Sequence, residues 1–447
     1  MSYWYSMTDY RRKLNERKQS VRRNAERGKI SDGDADRILE WIAAYDPEDM
    51  TTAVPTTGEY STDTQTKKAS TLKGYIAAIN RAAKRLQEGY GLSLSEADAD
   101  DINRYMSDIR SGEHPSVGDS GLANNTIRNA QGYIRKFYRY HDDLGVDAEK
   151  ITLISGDDTH VDDRDMLTGE EIKRVREAAE HPRDLAIFDL LIYTGQRNTA
   201  VRSLRIKDID LENGVYYLNS DVDGLKGADE NGKKRPLLGS VGSIREWLRY
   251  HPEPDNPDAY LITAKPRYSN PTPETMVSRN TIRYAVINLQ KKAEIDKPMN
   301  PHSIRHNFVT IAKRDYKMDD STVKHLIGHA PDSSVMERTY SHLSDEDHIR
   351  SAEAAAGIRE PDDESTLSPD ICHCGEPLPG NAKACPRCGT VYAPDAQAAK
   401  ETVEDSLKES YKQADPNDTD TMGKIDQLDD LLDDPEVKAA LLEKLQE

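Results

Sequence analysis

The sequence has no run approaching the ~18 consecutive apolar residues that a membrane-spanning helix needs, so no membrane association is expected. From Met1 to Arg12 there is no apolar stretch of the kind that forms the core of a secretory signal, and an intracellular protein is expected. Cysteine is absent outside Cys372–Cys388, which holds all four, so none remains for a disulfide elsewhere. Clustering of this kind points to a metal site rather than to an oxidising compartment. Positive charge is also in deficit: 61 Lys and Arg stand against 80 Asp and Glu, a net charge of −19. That balance argues against a nucleic-acid partner only if it is evenly spread. It is not, because residues 361–447 carry 21 acids and 8 bases, leaving −6 for all the rest. Within that remainder Asp9–Ile30 has nine Lys or Arg and three acids, so a basic N-terminal arm and an acidic tail hide in the average. The acid-rich composition suggests an organism with a high-salt cytoplasm, where phosphate contacts weaken steeply and recognition leans on hydrogen bonds and shape.

What is present is a soluble chain of 447 residues, 36% apolar and 32% charged. At ~100–200 residues per domain it holds two to four. Residues 8–45 read as helix, basic first and then apolar at Ile38, Leu39, Trp41 and Ile42. Residues 46–66 read as a loop rich in Thr, Pro, Asp and Gly. Helical periodicity returns at 70–89, 97–111 and 124–144, each with basic residues beside an apolar face. Residues 1–150 therefore form an expected small helical domain with basic, aromatic-interleaved faces, which taken alone read more readily as solvated faces of an ordinary bundle, followed by an acidic linker, 151–165.

A second domain is expected over 166–357. Thr168 and Glu171 make a capping box ahead of a helix at 170–180, and an apolar helix from Arg183 to Tyr193 is ended by Gly195. Strand-like content at 214–219 and 234–238 flanks a Gly- and charge-rich turn, and several helices follow from 281 to 328. The fold class expected is mainly α with a small antiparallel sheet, an α+β second domain. A linker at 358–370, a cysteine module at 371–392 and an acidic, helix-prone tail at 393–447 complete the chain. Asp434 and Pro435 are placed to start a short helix at 436–446.

Four strings carry the candidate chemistry: Tyr193-Thr-Gly-Gln-Arg197; Leu225-Lys226-Gly227; Pro301-His302-Ser-Ile-Arg305-His306; and Leu326-Ile-Gly-His329 followed by Arg338-Thr-Tyr340-Ser-His342. Each alone is weak, since a His-x-x-Arg pair commonly lies on a solvated helix face and most of the 22 tyrosines must be packing residues. In order and spacing the series Arg, Lys, His-x-x-Arg, Gly-His, Tyr resembles the tyrosine recombinase (phage integrase) family. The resemblance to its catalytic domain spans about 165–357, and the first 150 residues look like its helical core-binding domain. The family's acidic residue three places after the first arginine is replaced here by Ala200, and the gap from His329 to Tyr340 is slightly long.

The resemblance implies metal- and ATP-independent cutting and rejoining of double-stranded DNA through a 3′-phosphotyrosine, in support of integration, excision or a related rearrangement. Tyr340 would be the nucleophile. Arg197 and Arg305 would hold the phosphate with planar, permanently charged forks. His302 and His329 would donate hydrogen bonds to it or serve as base, and Lys226 would protonate the departing 5′-oxygen. Lys233 and Lys234 lie on the same expected hairpin, and Lys226 is preferred because it precedes Gly227 at the strand exit, as in the family. His306 is assigned to packing, and His342 has no clear chemical role. The implied assembly is a homo-tetramer on DNA, each protomer a clamp around the duplex, with 345–357 docking on a neighbour. Two other classes remain: a type IB topoisomerase-like enzyme and a non-catalytic DNA-binding regulator, for which Ala200 speaks.

Cys372-His-Cys374-Gly and Cys385-Pro-Arg-Cys388-Gly read as a zinc ribbon, a closed and structural site without a catalytic role. His373 is the alternative donor. The reaction itself needs no cofactor.

Overall fold

The structure, a computed structural model, describes residues 8–49, 66–157 and 162–333, apart from 223, 226, 227, 229–232, 266–271, 315 and 317. Beyond 333 it describes 349, 353, 356, 369, most of 371–392, and 403, 405–412, 423–428 and 437. The chain divides into two compact units, Met1–Thr159 and His160–Glu447. No helix among the described residues is long and apolar enough to cross a membrane.

The first unit is helical: α1 (Thr8–Glu26), α2 (Asp32–Tyr45), α3 (Ala69–Tyr90), α4 (Ala99–Ser111) and α5 (Asn124–Tyr140). The single helix expected over 8–45 is two. Gly28 turns the chain with φ +64°, and Ser31 restarts it by accepting the Asp34 N–H at 3.0 Å. Trp41 of α2 stacks on Tyr75 of α3 at 5.3 Å and meets Phe137 of α5 edge-on at 5.6 Å, so three helices share one aromatic centre. A capping box at Asp98 starts α4. The last helix stops at Tyr140, short of the expected 144, and a 3-10 turn over Asp142–Leu144 follows.

The second unit is mainly helical with a small antiparallel sheet, as its patterning predicts. Thr168 and Glu171 cap α6 (Gly169–Glu177) reciprocally. The helix ends earlier than expected because His181 and Pro182 open the next one, α7 (Pro182–Thr194). Mostly apolar and mostly buried, α7 packs on α8 (Asn198–Ser203), α9 (Ser240–Leu248), α10 (Arg279–Lys292) and α11 (Pro301–Arg314). The strands β1 (Ile209–Asp210), β2 (Val215–Tyr217) and β3 (Lys234–Pro236) pair in that order, Ile209 opposite Tyr216 and Tyr216 opposite Arg235. The short β1 and the helix α9 carry too few periodic residues to stand out in the sequence. Trp247 nonetheless fixes α9 by donating its indole N–H to the Leu261 carbonyl at 2.7 Å. The last helix of this core is α12 (Asp320–Ile327), capped by Asp319. The expected helix at 436–446 lies outside the described residues except for Val437.

Candidate active site

The end of α12 organises the site. Gly328 leaves the helix in the left-handed region, φ +67°, and the last carbonyls of α12 lose their partners within the helix. Side chains replace them in sequence. Gln196 Nε2 donates to the Leu326 carbonyl at 2.6 Å, Arg305 Nη1 to Ile327 at 2.7 Å, and Arg197 Nη1 to Gly328 at 3.1 Å. Two of the three donors are cations placed at the negative end of the helix. Arg305, only 3% exposed, also donates to the Gly195 carbonyl at 3.0 Å, which ties α11 to the end of α7. Arg197 is half-buried and reaches the Leu225 carbonyl at 3.4 Å, one residue before Lys226.

Two glycines permit this approach. A Cβ on Gly195 would stand 2.3 Å from the Phe308 ring, and one on Gly328 would stand 2.3 Å from the Ala228 Cβ. Both have positive φ, +59° and +67°, so both backbone form and space require glycine. The second contact holds the β2–β3 connection against the turn that precedes His329.

The structure therefore gathers Arg197, Arg305 and His329 around carbonyls 195 and 326–328. His329 is half-buried, and its N–H donates to the Lys324 carbonyl at 2.8 Å. His302 is exposed on the first turn of α11, with its ring 4.4 Å from that of His306. Burial, then His302 and Arg305, lowers His306 to about 4, which leaves it neutral at neutral pH. Burial alone lowers the Arg197 guanidinium from its ordinary value. Ala200 is buried in α8 at 3% exposure. Lys226, Gly227, Arg338, Tyr340 and His342 lie outside the described residues, as does most of 345–357. Sequence reasoning passed over Gln196. Its only signal was its place beside Arg197, since its role depends on where the chain 130 residues later comes to rest.

The four cysteines form a second site. Cys372 and Cys388 sulfurs are 3.5 Å apart, Cys374 and Cys385 3.6 Å, and all four lie within 4.8 Å of one another. Those gaps exclude disulfides, whose S–S bond is ~2.05 Å. They fit the edge of a thiolate tetrahedron, about 3.8 Å for a metal–sulfur bond of ~2.3 Å. Two tight turns present the pairs, with Cys372 N–H donating to Glu376 O and Cys385 N–H to Thr390 O. The cluster is therefore able to hold a structural metal ion through Cys372, Cys374, Cys385 and Cys388. His373 lies outside the described residues.

With this geometry in view, residues 165–347 match the phage integrase family. Tyrosine recombinase XerA of Pyrococcus horikoshii is 29% identical over 164 residues, which cover 37% of this chain and 52% of that protein. Tyrosine recombinase XerC of Oceanobacillus iheyensis is 24% identical over 249 residues, 53% of this chain and 76% of that protein. The chain spans about half the length of the XerA relative and of the Lactobacillus XerC relatives it matches. Among solved structures, XerH recombinase bound to palindromic difH substrate aligns over 77% of this chain and 96% of its own, with 18% identity and a TM-score of 0.46. XerA recombinase aligns over 72% and 98%, with 22% identity and a TM-score of 0.35.

Proposed function

We propose that the protein is a site-specific tyrosine recombinase that cuts and rejoins double-stranded DNA through a 3′-phosphotyrosine at Tyr340. The observation that carries this reading is the clamping of Arg197 and Arg305 onto successive carbonyls at the end of α12, beside His329. Cleaving a phosphodiester without a metal requires fixed positive charge around the non-bridging oxygens. Guanidinium groups already held by the main chain supply it without reorganisation. Tyr340 attacks phosphorus, the P–O5′ bond breaks, and Lys226 gives its proton to the departing oxygen. His302 and His329 donate to the same phosphate or take the tyrosine proton. The bond energy stays in the protein–DNA link, so rejoining needs neither ATP nor a cofactor.

The solved relatives include lambda integrase and XerH bound to DNA, among them a lambda integrase tetramer on a Holliday junction. We carry DNA over as the substrate and a homo-tetramer on DNA as the working assembly. The segment 345–357 would dock on the neighbouring protomer, and the basic faces of residues 1–150 would track phosphates. A nucleoid-associated place in the cytoplasm and adaptation to high salt are part of the same reading, the latter resting on composition alone. Cys372, Cys374, Cys385 and Cys388 would hold one zinc ion, whose contribution is to fold the module around it.

The test is covalent trapping. The protein is incubated with nicked duplexes drawn from sequence flanking its own gene, with no ATP and no added divalent cation. A denaturation-resistant adduct that disappears in Tyr340→Phe is expected. Tight binding with no adduct on any duplex would favour a non-catalytic DNA-binding regulator. Supercoil relaxation independent of site would favour a topoisomerase-like enzyme.

A further inference from the structure

The cysteine module does not stand apart from the second unit. Cys372, Leu378, Ala382, Cys385, Val391 and Tyr392 belong to the same continuous apolar core as α7 and α9. The residue at the centre of this joint is Tyr392, 2% exposed. Its hydroxyl donates to Cys372 Sγ at 3.1 Å, while its ring lies 6.5 Å from that of Tyr193. Its carbonyl accepts from the Tyr316 hydroxyl at 3.5 Å. Tyr193 sits in the last turn of α7, four residues before Arg197, and Tyr316 follows α11, the helix of Arg305. One residue thus meets a candidate metal ligand and Tyr193 through its side chain, and Tyr316 through its carbonyl, beside the segments that lead to Arg197 and from Arg305.

The seat beneath Tyr392 is built with care. Tyr193 is fully buried, and its hydroxyl accepts from Arg176 Nη1 at 2.7 Å. Arg176 reaches the buried carboxylate of Asp189, one turn back on α7, at 3.4 Å. The Tyr193 ring also lies against Gly239, where a Cβ would stand only 2.3 Å from it. The ring is therefore held by the backbone before α9 on one side and faces Tyr392 on another. The second knuckle closes the joint: Cys388, Gly389, Thr390 and Val391 line a cavity with Leu211 and Gly214 of the β1–β2 turn and Val241 of α9.

We infer that the metal module is an internal brace of the catalytic unit, with Tyr392 as the positioning residue that couples metal occupancy to the end of α7. What favours a brace is the shared core: Cys372, Leu378, Cys385, Val391 and Tyr392 pack in one apolar cluster with residues of α7 and α9, while Cys388 stays exposed at the far knuckle. A module this small depends on its metal to fold. Removing the ion therefore takes Tyr392 away from Tyr193 and loosens the turn that leads to Arg197. The chemistry at phosphorus stays metal-free while the geometry that performs it becomes metal-dependent. The inference rests on the reading that the four thiols bind a metal, and not on the recombinase reaction.

Hydrogen exchange on the full chain, without DNA, tests it. Metal content is measured first, and the reduced protein is compared as purified, after exhaustive chelation, and after reloading with Zn²⁺. We expect metal removal to speed exchange at least tenfold in α9 and the last turn of α7, to leave α2–α5 unchanged, and to be reversed by reloading. Tyr392→Ala, which keeps all four thiols, is expected to retain the metal and still show faster exchange in α7. Tyr392→Phe keeps the ring and is expected to show a smaller effect. Faster exchange confined to 371–392 in the stripped protein would overturn the brace, leaving a tethered and independent module. A protein that binds no metal would remove the premise, and metal content alone would reveal that whatever the fate of the recombinase reading.

Discussion

Among the described residues, no lysine or arginine of the first unit is buried, whereas the second unit buries Arg183, Arg202, Arg235 and Arg305. In the first unit the bases lie on helix faces. Some pair with carboxylates, as Arg11 and Lys18 do with Asp46 at 2.7 and 3.1 Å, and others reach main-chain oxygens from exposed or half-buried positions, as Arg128 does Ile154 and Arg135 does Ile151. In the second unit the buried arginines hold main-chain oxygens: Arg183 that of Thr263, beside its pairing with Asp184, Arg202 that of Val277, and Arg305 those of Gly195 and Ile327. The same side chain serves two physical ends. An exposed arginine is mobile, hydrated and screened by salt, suited to following phosphates wherever they lie. An arginine clamped by carbonyls cannot move to its target, so the target must come to it. That is what stabilising charge at a single reacting phosphorus demands.

Substitutions can break or sharpen this contrast. The largest effect is expected from Arg305→Ala, which leaves two buried carbonyls without their donor. Stability should fall by about 2–4 kcal/mol in urea unfolding, and adduct formation by ~10²–10³ beyond what the unfolded fraction explains. In Arg197→Lys a half-exposed fork becomes a point charge. Stability should change by less than about 1 kcal/mol while adduct formation drops ~10²-fold, separating chemistry from folding at the same carbonyl array. On the other side of the comparison, Arg17→Ala on the exposed face of α1 should leave cleavage chemistry intact. It should lower the slope of log affinity against log salt by about 1 in a DNA-binding titration.

A further effect concerns pH. Burial, then His302 and Arg305, lowers His306 to about 4. A group whose folded value lies below its unfolded one contributes stability that is complete above the unfolded value, near 6.5. That contribution is lost as pH falls from there towards about 4. Urea midpoints measured across that window should decline, and His306→Leu should flatten the decline.

Much of this architecture was legible in the sequence because its signals are local. The capping box at Thr168 and Glu171, the stop at Gly195 and the apolar run of α7 each depend on neighbours within a turn or two, and each sits where local chemistry requires. The break at Gly28 was missed because helical periodicity resumes in phase beyond it. The strand β1 was missed because two residues hold no period, and it forms only through pairing with Val215 and Tyr216. In the site, the motif order marks Arg197, Arg305 and His329. What holds them is not local: the carbonyls at 326–328 meet donors from 196, 197 and 305 only once the chain has folded. The seating of Tyr392 on Tyr193 was invisible for the same reason, since nothing in the spacing of four cysteines says which surface their module covers.

The most direct test of the central claim is the chemical identity of the protein–DNA bond. After trapping on a nicked duplex, nuclease and protease digestion and mass spectrometry locate the residue that carries the nucleotide. A single modified peptide is expected, bearing a 3′-phosphonucleotide on Tyr340 and obtained with equal yield when no divalent cation is added. A nucleotide on any other residue, or an adduct that protein already loaded with zinc forms only with further divalent metal, would contradict the account.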